Sequence, residues 1–220
     1  SSLWRPVSTC TESGRLMMEP IKLDPFGILK TKIPNDLQNK LLKESIIAEK
    51  QNKEMISGLT SKAVPKHYYV NNTLKELEHY ILSIKNEYDK YFPGLGDIKI
   101  LTKDLPFVLD KPWFNFQNKN QFIPYHTHDG IYSYNIWLKL PYDYDSEVKE
   151  QNHIKGELRC FELVYVSCIG NLKVYNIPLT KKDEGTIIMF PSKLPHIVYP
   201  FYSSEEKRIS IAGNILLGVN

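Results

Sequence analysis

Three histidines and one arginine carry the chemistry this sequence offers. Tyr125-His126-Thr127-His128-Asp129-Gly130 closes a segment of strand character, and residues two apart on a strand share a face. His126 and His128 would therefore present both imidazoles to one metal ion. His196 comes much later, in Phe190-Pro191-Ser192-Lys193-Leu194-Pro195-His196, and can close the same site from a neighbouring strand. Imidazole is the commonest nitrogen donor to metals, and its lone pairs must converge at about 2 Å. Three protein ligands leave half of an octahedron open, so a substrate and an oxidant can bind side by side. Taken alone, a His-x-His pair is also what surface histidines before an Asp-Gly turn look like.

The C-terminal strand strengthens the metal reading. In Arg208-Ile209-Ser210-Ile211-Ala212-Gly213-Asn214, the residues Arg208, Ser210, Ala212 and Asn214 share one face, while Ile209, Ile211 and Ile215 share the other. A planar guanidinium fork with a hydroxyl two residues on makes a carboxylate clamp. The plainer reading is an exposed strand face rimmed by arginine. The ordering matters more than any one part: His-x-His, a distant His, then Arg-x-Ser twelve residues beyond it. His67, His79 and His153 take the ordinary reading of packing or surface residues. So do Trp113, Trp137 and the tyrosines, although Tyr132 and Tyr134 lie near enough to the His-x-His turn to touch a substrate.

Two kinds of element must position these groups. Residues 35–57 read as a helix, with Leu37, Leu41, Leu42, Ile46 and Ile47 near one stripe. Residues 74–92 read as a second, with Leu74, Leu77, Ile81, Ile84, Tyr88 and Tyr91 at steps of three and four. Thr73 and Glu76 have the spacing of a capping box, and Pro93, Gly94 and Gly96 end the pattern. After Gly96 the text turns to short runs of β-branched and aromatic residues. Strands are expected near 98–102, 112–118, 121–128, 132–140, 157–166, 171–177, 186–190, 196–200 and 207–217. Many short strands without intervening helices indicate an antiparallel sandwich or double-sheet barrel. The polar stretch from Tyr142 to Lys155 is long enough for a lid, or for a solvated insertion. The fold class expected is therefore α+β, with N-terminal helices packed on a β core. Residues 1–17 read as a flexible leader and 18–220 as a single domain, with a helical annex at about 35–93 and the β core at about 98–217.

Composition bounds the remaining possibilities. The 220 residues are 42% hydrophobic and 24% charged, ordinary for a folded domain. No run approaches the length of a transmembrane helix, so no membrane partner is expected. A formal charge of +3 is too small to argue for strong nucleic-acid binding. Three cysteines, Cys10, Cys160 and Cys168, lack CxxC spacing and fit a reducing, cytoplasmic setting. Oligomeric state stays open, with a homodimer among the possibilities.

The sequence resembles the iron(II)- and 2-oxoglutarate-dependent oxygenases with a double-stranded β-helix (jelly-roll, cupin-like) core, nearest to phage and bacterial members of the prolyl-hydroxylase-like branch. The likeness covers roughly residues 98–217. It is strongest over Asn115 to Gly130, over Gly185-Thr186-Ile187-Ile188-Met189-Phe190-Pro191 with His196, and over Arg208 to Asn214. It implies that His126 is the first iron ligand and His196 the distal one. Arg208 would pair with the far carboxylate of 2-oxoglutarate, with Ser210 donating to it. Asn115 and Asn214 would be further co-substrate contacts and Gln117 a weaker one. It also implies Fe(II), 2-oxoglutarate and O2 as reactants, with the 2-oxo acid decarboxylated to succinate while a peptide side chain such as proline, or a small molecule, is hydroxylated. The family usually has His-x-Asp or His-x-Glu where this chain has His126-Thr127-His128. Three outcomes follow: His128 completes a three-histidine site, the position stays open, or Asp129 turns inward through a bulge. Strand parity favours His128. Two rival readings are a cupin-like metal enzyme that uses no 2-oxo acid and a non-catalytic β-barrel binding module.

Overall fold

The computed structural model describes residues 26–51, 63–93, 105–152 and 155–218. In chain order the elements are β1 (Leu29–Lys32), α1 (Asn35–Gln51), β2 (Lys66–Tyr69), α2 (Leu74–Tyr91), β3 (Phe107–Leu109), β4 (Trp113–Gln117) and β5 (Ile123–His126). There follow β6 (Tyr132–Lys139), α3 (Tyr144–Gln151), β7 (Phe161–Val166), β8 (Leu172–Ile177), β9 (Thr186–Pro191), β10 (His196–Val198) and β11 (Arg208–Leu217). The order β1-β9-β6-β11-β4-β2, with β3 also on β11, forms a seven-stranded sheet. The order β5-β10-β7-β8 forms a four-stranded one. Every recorded pairing is antiparallel.

Side-chain alternation along the large sheet separates two cores. Phe114, Phe116, Ile136, Ile187, Met189, Ile209 and Ile211 lie in one buried cluster with Leu37 and Leu41 of α1 and with Leu77, Ile81 and Tyr88 of α2. Their strand neighbours on the opposite face, among them Trp137, Ile188 and Phe190, join Phe161, Leu163 and Ile177 of the small sheet in a second cluster between the sheets. One parity thus packs on helices and the other fills the space between sheets. Gly213 is held by a close approach: a Cβ at this position would collide with the Tyr134 hydroxyl.

Departures from expectation have local causes. The α1 stripe turns away from Ile46 and Ile47, which are 51% and 45% exposed, because Glu44 takes the inward position. Its carboxylate accepts the backbone N–H groups of Asn71, Asn72 and Thr73 at 2.6, 2.7 and 2.8 Å. The start of α2 is therefore capped by a side chain from another helix rather than by a Thr73–Glu76 box. Thr73 makes no side-chain cap bond, and Glu76 instead binds Lys40 at 3.1 Å. The stretch read as a lid or insertion contains α3, pinned by the buried Glu147. That carboxylate accepts from the Tyr202 and Ser203 amides and the Ser203 hydroxyl at 2.6–3.1 Å. β1, β2 and β3 were not expected; each is three or four residues long and gains its identity only from a distant partner. The strand expected near 98–102, the leader 1–17, the end of the first helix and His153 lie outside the described residues. Among the described residues no helix is long and apolar enough to cross a membrane.

Candidate active site

The three histidines meet in space. His126 and His196 are direct cross-strand partners on β5 and β10, with ring centroids 4.1 Å apart. His128 lies just past the end of β5, where its N–H donates to the Ser192 carbonyl at 2.9 Å and fixes the turn. Its ring faces that of His196, with centroids 5.1 Å apart and the two Nε2 atoms 3.3 Å apart. One ligating nitrogen from each of the three rings lies within 4.8 Å of the others. Donors about 2.1 Å from one ion, at right-angled to tetrahedral angles, stand about 3.0–3.4 Å apart. The 3.3 Å between the His128 and His196 Nε2 atoms falls in that range; without an ion the same contact is a ring-to-ring hydrogen bond.

Backbone carbonyls set the tautomers. Nδ1 of His126 lies 2.8 Å from the Pro124 carbonyl, and Nδ1 of His196 lies 3.1 Å from the Leu194 carbonyl. A carbonyl only accepts, so each Nδ1 carries the proton and each Nε2 keeps a free lone pair. Phe161 stacks on His196 and Phe190 meets it edge-on. Burial holds the imidazoles neutral, pushing His128 down to about 4 and His196 down to about 3, with the nearby His126 adding to both. His126 is also lowered, chiefly by burial. Neutral imidazoles are the state that binds a metal.

A cavity of about 220 Å³ opens on the triad and is also lined by Trp113, Asn115, Gln117, Phe161, Phe190, Ser210 and Ala212. Asn115 accepts from Trp113 Nε1 at 3.1 Å and donates to Ser210 Oγ at 3.4 Å. An indole N–H only donates, so it fixes the direction of the Asn115 amide. Ser210, as acceptor, keeps its own proton to donate elsewhere. Arg208 is buried behind Gln117, 2% exposed. It donates to Gln117 Oε1, the Tyr142 hydroxyl, Cys160 Sγ and the Tyr199 carbonyl. No carboxylate pairs with it among the described residues.

One expectation needs correction, and one of the three outcomes left open at the third ligand falls away. Asn214 has the parity of Arg208 but does not line the cavity. β11 runs well past the site, and the Asn214 side chain is used by Ser133 Oγ, which donates to it at 2.9 Å. Asp129 does not turn inward; its side chain is fully exposed and pairs with Lys193 at 3.0 Å. His67, given an ordinary reading from sequence, lines the cavity opposite Asn115. Tyr142 and Cys160, the partners of Arg208 Nη1, carried no sequence signal: each is separated from Arg208 by dozens of residues, and only the tertiary fold joins them.

A 2OG-Fe(II) oxygenase family model matches residues 111–214, just under half of the chain, and spans all the site residues named above except His67. Over those residues the chain is similar to the 2OG-Fe(II) oxygenases. Among solved structures it is similar to a Pseudomonas putida prolyl-4-hydroxylase, with 14% identity and a TM-score of 0.57, covering 88% of this chain and 94% of that one. It is also similar to the prolyl hydroxylase of Trichoplax adhaerens solved with a peptide fragment of the hypoxia inducible factor oxygen degradation domain. That match has 13% identity and a TM-score of 0.57, covering 88% of this chain and 84% of the other. The non-heme alpha ketoglutarate dependent epimerase SnoN from nogalamycin biosynthesis shares the fold at 13% identity and a TM-score of 0.58, with coverages of 86% and 76%. Among curated proteins none matches the sequence. The fold this chain shares with these neighbours is the jelly-roll, and the matched family implies Fe(II), 2-oxoglutarate and O2, for which the three histidines offer a metal site. Neither the cupin-like enzyme without a 2-oxo acid nor the non-catalytic module is favoured.

Proposed function

We propose that His126, His128 and His196 hold the iron, and that Arg208 with Ser210 receives the far carboxylate of 2-oxoglutarate. One observation carries this assignment: three neutral imidazoles converge on a cavity lined by Gln117 and Ser210, and directly behind Gln117 lies a buried guanidinium that has no salt-bridge partner among the described residues. Burying an unpaired charge costs several kcal/mol, and an anionic ligand offsets that cost. The donor set fits Fe(II), with nitrogen ligands and an open face. Bound there, Fe(II) would supply the redox chemistry with O2 that couples decarboxylation of the 2-oxo acid to oxidation of a substrate C–H bond.

The chain's own groups do the rest. The Pro124 and Leu194 carbonyls keep His126 and His196 in the tautomer whose Nε2 faces inward. Phe161 and Phe190 keep water from the His196 side. Trp113 acts through Asn115 to leave the Ser210 proton directed at an anion. Asn115 thus works as a positioning group at the edge of the co-substrate site. For the substrate we favour a peptide side chain such as a prolyl residue, with a small molecule as the alternative. Similarity to a prolyl hydroxylase solved with a peptide supports this, as does a cavity too small to admit much beyond the co-substrate and one side chain. We place the enzyme in a reducing cytoplasm, a reading supported by Cys160 and Cys168 both being free. The test is a turnover screen for succinate against peptide, amino-acid and nucleoside pools, run beside iron stoichiometry for His126→Ala and His196→Ala. Loss of bound iron and of succinate in both variants is expected. Retention of iron in both would refute the ligand assignment.

A further inference from the structure

The acceptors around Arg208 are not equivalent. Nε and Nη2 both donate to Oε1 of Gln117, at 3.0 and 2.6 Å. Nη1 donates to the Tyr142 hydroxyl at 2.9 Å and to Cys160 Sγ at 3.2 Å, and Nη2 also reaches the Tyr199 carbonyl. All five N–H groups of a guanidinium can be accounted for by these bonds. A carboxylate arriving from the cavity must therefore take over a position that one of the acceptors holds. Tyr142 and Cys160 belong to the buried cluster between the sheets, and Tyr199 contributes main chain. Of the four, Gln117 alone lines the cavity that opens on the histidines.

Gln117 also occupies the side of the guanidinium that best suits a carboxylate. Its single oxygen accepts from Nε and Nη2 together, the edge on which carboxylates make parallel paired bonds. Its amide nitrogen is tied to main-chain carbonyls, those of Gln121 and Tyr199. Because arginine only donates, the carboxamide is held oxygen-inward. A neutral oxygen keeps the guanidinium ordered but gives it no direct ion pair. A carboxylate in the same place supplies the missing charge, so the exchange is favourable.

We propose that Gln117 is the exchangeable partner of Arg208, filling the guanidinium fork in the free enzyme and yielding it to the far carboxylate of the 2-oxo acid. This rests on the reading of Arg208 as the carboxylate anchor. It makes Gln117 a positioning residue that keeps Arg208 aimed before the co-substrate arrives. It also makes Gln117 a specificity residue, since a 2-oxo acid lacking a second carboxylate has nothing with which to displace it.

The experiment pairs two readouts: melting of the ligand-free protein, and anaerobic titration of the Fe(II)-loaded protein with 2-oxoglutarate. Gln117→Glu places a resident counter-charge in the fork. It should raise the melting temperature of the free protein and weaken 2-oxoglutarate binding at least tenfold. Gln117→Ala empties the fork; it should lower the melting temperature and leave binding within threefold of wild type or tighter. Such opposite movements of stability and affinity are not produced by a merely structural glutamine. Wild-type affinity in Gln117→Glu overturns the proposal, and so does a tenfold loss in Gln117→Ala. If Gln117→Ala does not fold, Gln117→Glu alone decides. Failure of the underlying reading looks different: Arg208→Met would then bind 2-oxoglutarate like wild type, whatever stands at position 117.

Discussion

Replacing Arg208 by methionine separates the two things this buried guanidinium does. In the free enzyme it makes bonds to Gln117, Tyr142, Cys160 and the Tyr199 carbonyl, yet has no salt-bridge partner among the described residues. Removing it leaves the Gln117 and Tyr142 oxygens short of a donor, at about 1–3 kcal/mol each if they cannot rearrange, while the Tyr199 carbonyl keeps Gln117 Nε2. It also abolishes a buried unpaired charge whose effective penalty is several kcal/mol. The two contributions oppose each other and are of similar size. The melting temperature of ligand-free Arg208→Met is therefore expected within about 6 °C of wild type, using roughly 2–4 °C per kcal/mol for a chain of this length. Affinity for 2-oxoglutarate has no such compensation. Truncating one partner of a buried charge pair costs about 2–5 kcal/mol, a loss of roughly 30- to 4000-fold. Isothermal titration under anaerobic conditions, on protein loaded with Fe(II), reads the loss directly, with a thermal melt of the same sample as the folding control. A variant that folds like wild type and binds 2-oxoglutarate within threefold of it would refute the reasoning.

Other outcomes follow from the same structure. His128 and His196 lie below the ordinary imidazole value of about 6.5, so as pH falls the unfolded chain takes up protons first. Stability of the metal-free protein should be fully present above about pH 6.5 and lost as pH drops toward 4. The loss is about 2 kcal/mol per histidine between pH 7 and 5, seen in denaturant melts and reduced in His196→Leu. His128→Asp should keep iron at the wild-type stoichiometry, because an aspartate at that position restores the family's usual ligand pattern, whereas His128→Ala should weaken iron binding at least tenfold. Metal analysis after gel filtration distinguishes the two. Glu147→Ala removes a carboxylate that caps the Tyr202 and Ser203 amides. About 3 kcal/mol and a melting temperature lower by about 6–12 °C are expected, with iron stoichiometry unchanged.

Much of the site was legible because it is built from strand parity. His126 pointed at His196, and Arg208 shared a face with Ser210, since alternation on a strand is a local property readable without a partner. The same rule overreached at Asn214, because parity says which face a residue takes but not where along the strand a cavity ends. At the third ligand parity favoured His128, and a bulge was what left Asp129 open; the His128 N–H bond to the Ser192 carbonyl fixes the turn with Asp129 exposed. Helix periodicity located both N-terminal helices, but not the rotation that Glu44 imposes on α1. A buried acid serving a distant helix end has no sequence period. β1, β2 and β3 escaped for a related reason: strands this short are defined by their partners, β9, β4 and β11. The closed side of the Arg208 pocket, with Tyr142 and Cys160, is a purely tertiary assembly.

The metal centre bears most directly on the whole account. A crystal structure of the protein loaded anaerobically with Fe(II) and 2-oxoglutarate, with anomalous scattering at the iron edge, should show one iron bonded to nitrogen atoms of His126, His128 and His196. The far carboxylate of the co-substrate should lie against Arg208. Iron bound elsewhere, or coordinated without His128 and with Asp129 in its place, would contradict it.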